Sequence, residues 1–356
     1  MFGYETLTAV VRTEIPGVPD VLPARFNEIK QNVIVDRAKF RELPGNRKTA
    51  RRQAYGGLAR ARTLSDVGER DVKLIHTREK LEIPAQVMHG LFQLESYNLD
   101  QEFEMVMEQI EFFREYFNNL RKTQKLQALV NGVNYFDADG NILPSSAGAV
   151  ETTDFLIPAG NKNQLDVFGD GAIISASWAT PSTDIPLQLR NLKKAAVAKS
   201  GYPLKYCFYG TNVLSYLINN NYVKDYLARE GNRRGEYLTD NEIGQLFGLT
   251  WVPIGDQFYE DSSGTIHYIA GADAAIFTPE PDKKWWQLFE GSMLVPKTID
   301  LFPTLDSLKQ NSELLYGMVG YSRINHETMQ LESYTADTFL YTIKNPKVIF
   351  QADVTP

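Results

Sequence analysis

The chain has 356 residues, 43% of them hydrophobic and 12% aromatic, which suffices for a sizeable core and excludes an intrinsically disordered chain. Its formal net charge of −7 is unevenly spread, because Asp36–Arg62 carries nine basic residues against two acidic ones and is itself +7. The single Cys207 excludes an intramolecular disulfide and a cysteine-built zinc site, no run of about 18 apolar residues marks a membrane span, and residues 1–20 lack the pattern of a signal peptide, so synthesis in the cytoplasm is expected.

Residues 1–32 read as an arm. Thr6-Leu7-Thr8 can cap a short helix, Pro16, Pro19 and Pro23 forbid a long one, and Leu22, Phe26 and Ile29 are apolar anchors. Gln31–Pro84 then has the pattern of a long polar two-stranded excursion. Asn32–Val35 starts a strand, and Val72–His76 with Lys80–Ile83 returns one. Between them lie Pro44-Gly45, Gly56-Gly57 and the basic cluster, with too few apolar residues for a core. A loop of that length is functional or ordered by a partner.

The stretch Asn98–Gly132 organises the chain. Leu99, Phe103, Val106, Ile110, Phe113, Phe117 and Leu120 alternate spacings of four and three, which predicts one stripe of a helix. Asn98 is the expected N-cap with Gln101 completing a capping box, and Asn131-Gly132 is the expected stop. Asp100, Glu102, Glu104 and Glu108 crowd the start and Arg121, Lys122 and Lys125 the end, which suits the helix dipole. Such a helix runs about 50 Å, long for one domain. Its stripe fits a helix lying on its own core or a short coiled coil. Glu104, Glu108, Glu111 and Glu115 form an acidic row that by itself reads as a solvated face.

Beyond it, Asn134–Phe136 and Ile142–Leu143 flank Asp139-Gly140, a hairpin signal. Val167–Trp178 is glycine-broken and reads as a loop. Asp184 caps a predicted helix with Pro186 in its first turn and Gly201 at its stop, followed by a strand over Leu204–Tyr209 and a helix over Thr211–Ile218. Thr239–Glu242 reads as a capping box for a helix through Ile243, Leu246 and Phe247 that ends at Gly248. Thr250–Ile254, Gln257–Tyr259 and Thr265–Ile269 read as strands, as do Glu332–Tyr341 and Val348–Val354. The last strand is expected to dock in a sheet, and the mixture indicates an α/β or α+β region.

Motifs of chemistry are incomplete wherever they begin. Gly45–Thr49 imitates a P-loop, but Arg47 stands where a glycine is required. Gly169-Asp170-Gly171 lacks the third glycine of a dinucleotide fingerprint, and Asp137–Asn141 lacks the final glutamate of a calcium loop. His326-Glu327 begins a zinc-protease helix, but residue 330 is glutamine. Trp285-Trp286 reads as one core and one interface residue rather than a stacking platform. The sequence supports no catalytic, cofactor or metal residues.

The order of parts resembles the major capsid proteins of tailed bacteriophages with the Hong-Kong-type fold, in particular the lambda-like major capsid protein E family. Phe26 followed by Val33-Ile34-Val35 matches the arm entering an extended loop, and Arg51-Arg52 to Pro84 the returning limb. Asn98–Gly132 with Tyr135-Phe136 matches a spine helix and its hairpin. Trp178 with Asp184 matches the entry to an axial domain, and Tyr259, Gly264 and Ile269–Pro279 match strands near its edge. The resemblance covers nearly the whole chain and rests on order and spacing.

The resemblance implies an α+β phage capsid fold: arm 1–32, extended β-hairpin loop 33–84, and peripheral domain 85–178 with spine helix 98–131 and hairpin 133–143. An α/β axial domain 179–325 follows, then terminal strands 326–356 returning to the peripheral domain. It implies a non-catalytic shell subunit that assembles as pentamers and hexamers around double-stranded DNA, with scaffolding, portal and decoration proteins as partners, no membrane, and a virion destination reached in the bacterial host cytoplasm. Arg47, Lys48, Arg51 and Arg52 are then expected against an adjacent subunit's Glu104, Glu108 and Glu111. Some members crosslink a loop lysine to an asparagine; Lys48 is a loop lysine, and nothing in the sequence selects its partner. Two other readings stand beside this one: an encapsulin-like nanocompartment shell loading enzyme cargo, and an unrelated nucleic-acid-binding protein using residues 37–62.

Overall fold

The computed structural model describes residues 8, 20–34, 37–41, 69–83, 96–138, 140–229, 243–261, 263–296, 312–325 and 330–356, and of residues 96–110 the backbone alone. Two six-stranded sheets and one long helix carry the architecture.

The arm begins it. A short helix α1 (Arg25–Glu28) leads into β1 (Lys30–Val33), and Leu22, Phe26 and Ile29 are all buried, as expected of anchors. Phe26 sits inside four rings, Tyr206, Phe208, Trp285 and Trp286, each edge-on with centroids 5.5–6.0 Å away. The Trp286 indole N–H donates to the Phe26 carbonyl at 2.8 Å. Both tryptophans are fully buried, so neither is the interface residue expected of the pair.

The first sheet is built on β18 (Gln330–Ile343), buried from Glu332 through Ile343. One edge of β18 pairs antiparallel with β4 (Ile75–Ile83). Its other edge pairs with β17 (Val319–Asn325) and then β15 (Trp286–Pro296). β1 lies parallel to β15, and β16 (Ser312–Tyr316) folds back antiparallel on the far end of β15. From this sheet β2 (Arg37–Arg41) and β3 (Glu69–Lys73) leave as an antiparallel ribbon of their own, with Arg37 opposite Lys73. That is the base of the expected excursion. Residues 42–68 lie outside the described residues.

The second sheet runs β10 (Gln245–Leu246), β11 (Leu249–Pro253), β9 (Leu204–Tyr209), β14 (Ala274–Pro279), β19 (Phe350–Asp353), β8 (Lys162–Asn163). Alternation along its strands supplies two cores. Cys207, Trp251, Phe277 and Phe350 face helices α3 (Ile185–Ser200), α4 (Thr211–Asn219) and α5 (Asn221–Arg229). Phe208, Val252 and Ile276 face the arm and the end of the long helix. α3 starts and stops as its sequence directs: Asp184 accepts from the Leu187 N–H, Pro186 lies in the first turn, and Gly201 takes φ 80°.

The two terminal runs part company, β18 joining the first sheet and β19 the second. The helix expected to end at Gly248 is instead a hairpin. Leu246 pairs with Leu249, and Phe247 and Gly248 both take positive φ, 53° and 67°, the geometry of a tight primed turn. Leu246 and Leu249 are buried, so burial of both strand ends overrides the helical spacing. α5, which the sequence reading lacked, begins directly after Asn220, whose side chain accepts from the Val223 N–H.

Candidate inter-subunit surface

The long helix α2 (Ser96–Val130) begins two residues ahead of the expected cap, so Asn98 lies inside its first turn. It stops where expected. Gly132 takes φ +69°, and its N–H reaches the Ala128 carbonyl at 3.1 Å.

The two halves of α2 differ in what covers them. Thr123–Leu129 is wholly buried, polar side chains included, because it lies on β18 and the small sheet of β5 (Val133–Phe136), β6 (Ile142–Leu143) and β7 (Glu151–Asp154). The glutamine amides bond to neighbouring strands, although Gln127 Oε1 finds no partner among the described residues. The Gln124 amide donates to the Tyr341 carbonyl and accepts from the Tyr341 N–H, at 3.4 and 3.3 Å. Gln127 donates to the Leu143 carbonyl at 2.6 Å, and Gln351 donates to the Leu129 carbonyl at 2.8 Å. Outward of Phe117, Glu111, Phe112, Glu115 and Tyr116 are exposed, Phe112 at 61% and Tyr116 at 52%.

Charged groups pin the junction. Arg121 makes a two-pronged contact with fully buried Asp337, at 2.5 and 2.6 Å, and a third bond to Glu290 at 3.1 Å. Burial opposes its charge, but the Asp337 carboxylate foremost outweighs this and raises its pKa. Lys125 is bonded to Asp20 and, at 2.8 Å, to Asn27 of the arm; burial lowers its pKa, and Asp20 opposes that fall. The sequence reading treated both cations as dipole complements. It missed them as anchors because their acidic partners lie 216 and 105 residues away in the chain.

The described base of the ribbon of β2 and β3 is fixed to the body. Ala38 and Leu74 pack on Phe289 and Leu340. Arg70 donates to the Phe155 carbonyl at 3.3 Å, and Lys73 pairs with Glu151 at 3.5 Å. Arg47, Lys48, Arg51 and Arg52 belong to the span beyond the base and lie outside the described residues. Glu104 and Glu108 stand on the backbone of α2, and Glu111 is exposed further along it. Phe112 and Tyr116 lie off the predicted stripe at a spacing of four; they form an exposed aromatic pair readable from that spacing alone.

No protein-family model and no curated protein matches the sequence. Solved structures do match. A protein assigned as the capsid protein of an Escherichia coli CFT073 prophage aligns at TM-score 0.50 and 14% identity, over 81% of this chain and 79% of its own. A phage-related protein of Bordetella bronchiseptica RB50 aligns at TM-score 0.51 and 10% identity, over 99% of this chain and 97% of its own. An encapsulin of Synechococcus elongatus PCC 7942 aligns at TM-score 0.40 and 8% identity, over 96% of this chain and 91% of its own, too distantly to weigh in the argument. Arm, projecting ribbon, long helix and two sheets, matched end to end in this way, are the fold of phage capsid proteins.

Proposed function

We propose that the chain is the major capsid protein of a tailed bacteriophage, a structural subunit without catalysis that assembles as pentamers and hexamers into an icosahedral shell around double-stranded DNA. The observation that carries this reading is the fold shared with a prophage capsid protein over 81% of the chain at TM-score 0.50. Two features of the chain support it. The base of the β2–β3 ribbon leaves the first sheet as a strand pair of its own, and the outer half of α2 exposes Glu111 and Glu115 beside Phe112 and Tyr116. Both are surfaces in want of a neighbour.

In this reading residues 1–32 are the arm, 33–84 the extended loop, 85–178 the peripheral domain, 179–325 the axial domain, and 326–356 the terminal strands returning to the peripheral domain, although β19 lies in the second sheet between β14 and β8. The loop of one subunit lies over the next, with Arg47, Lys48, Arg51 and Arg52 against Glu104, Glu108 and Glu111. Exposed ion pairs contribute about 0–1 kcal/mol each, so these set register more than strength. Scaffolding, portal and decoration proteins complete the particle, which matures into a virion assembled in the host cytoplasm.

Reversing Arg51 and Arg52 together to Glu tests the loop contact. The expected result is loss of particles with the subunit still folded, and unchanged particles would contradict it. DNA affinity measured against salt separates the shell reading from a dedicated nucleic-acid binder. A binder using residues 37–62 gives a steep linear fall of log affinity with log salt, whereas a shell subunit gives weak, shallow binding.

A further inference from the structure

The hairpin of β12 (Phe258–Glu260) and β13 (Ile266–Tyr268) is unusual in what it shows to solvent. Its inner face carries Tyr259, packed against the arm-side core, with the His267 ring 5.3 Å from it. Its outer face carries Phe258 opposite Tyr268 and Glu260 opposite Ile266, all exposed, with the two aromatic rings 6.3 Å apart. A strand pair facing only water is normally polar on that side. The hairpin is also stiff. Asp261 accepts from the Ser263 N–H at 2.9 Å, the Ser263 hydroxyl at 2.6 Å and the Thr265 N–H at 2.9 Å, and contacts His267 Nε2 at 2.8 Å. Together with exposed Asp256 and Glu260, Asp261 makes this apolar patch acidic.

The complementary patch lies on α3. Leu187, Arg190, Lys194 and Val197 follow one another at spacings of three, four and three and are all exposed, so one stripe is apolar at its ends and basic at its centre. The opposite side of α3, Leu189, Leu192 and Ala196, is buried with Cys207 and Phe277. The hairpin instead joins the core of Phe208 and Ile276, the neighbouring residues of the same strands. The two patches therefore stand on opposite faces of the second sheet.

We infer that the β12–β13 hairpin of one copy seats on the α3 stripe of a second copy, an inference that rests on the shell reading above. Charge selects this pairing. Hairpin on hairpin sets acid against acid, stripe on stripe sets base against base, and only hairpin on stripe joins opposite charges around apolar contacts. A contact between two different faces is head-to-tail, and such contacts close into rings when the rotation permits. The Asp261 bonds hold the hairpin ready before docking, which lowers the ordering cost.

The test uses the whole chain. Glu260→Lys and Lys194→Glu, each alone, are expected to weaken association about tenfold per contact, and the double variant to recover most of it. Circular dichroism confirms that each variant folds. In parallel, chains carrying Tyr268→Cys are mixed with chains carrying Val197→Cys and oxidised; disulfide-linked pairs are expected, and native Cys207, fully buried, stays out of the reaction. Particles that form without the crosslink, or folded single variants that assemble like the parent, overturn this contact while leaving the shell reading standing. A parent chain that stays monomeric and gives no crosslink overturns both.

Discussion

Arg121 shows how much one side chain can hold. Its guanidinium meets Asp337 of β18 and Glu290 of β15, and it lies 5.0 Å from the centre of the Phe339 ring, so a single residue ties the spine to two strands of the first sheet. Arg121→Met is expected to cost about 3–5 kcal/mol, because the buried Asp337 carboxylate loses its partner. Arg121→Met with Asp337→Leu should recover most of that loss, since removing both charges leaves neither stranded. Urea unfolding of the three chains measures this; equal losses in single and double variants would contradict it. Phe26 makes the matching case without charge. Phe26→Ala empties the space among four aromatic rings and is expected to cost about 3–5 kcal/mol by the same measurement. Phe26 was readable as an anchor because three apolar residues stood alone among prolines. The Arg121 network was not, because nothing local to α2 points to residues 290 and 337.

At the scale of elements, what the sequence revealed follows the range of the forces. α3 was legible end to end: its cap, its first-turn proline and its terminal glycine are all local signals, and each does in the fold what its chemistry directs. Asp184→Ala should lower stability by about 1 kcal/mol through the lost bond to the Leu187 N–H. The β10–β11 hairpin was illegible for the opposite reason. Ile243, Leu246 and Phe247 have helical spacing, and only the buried pairing of Leu246 with Leu249 decides for a strand. The β12–β13 turn has an acid dependence of its own. The Ser263 hydroxyl first, then His267 and the Thr265 N–H, hold the Asp261 carboxyl well below the usual carboxylate range. A depressed carboxylate stabilises the fold fully above its unfolded pKa, near about 4, and loses that contribution as pH falls through the folded value. Amide protection at Ser263 and Thr265, measured against the intrinsic exchange rate at each pH, should therefore fall progressively in acid. In Asp261→Asn that protection should already be lower at neutral pH and lose most of its further acid dependence.

For the whole molecule, the central claim is that this fold is a tile. The body is well anchored where α2 crosses β18, and its described extensions, the base of the ribbon and the outer half of α2, lead away from that anchorage. Uneven charge fits the proposed loop contact, since a +7 segment stands in a chain of net −7. The arm, the long helix and α3 were legible in the sequence because each carries local signals, whereas the division of the last two strands between two sheets was not, because only long-range pairing sets it. Negative-stain electron microscopy of the expressed chain at neutral pH and moderate salt tests the claim most directly. The account predicts closed, uniform shells tens of nanometres across or the rings of five and six subunits that precede them. A chain that remains monomeric or dimeric across concentrations, with or without a scaffolding protein supplied, would contradict it.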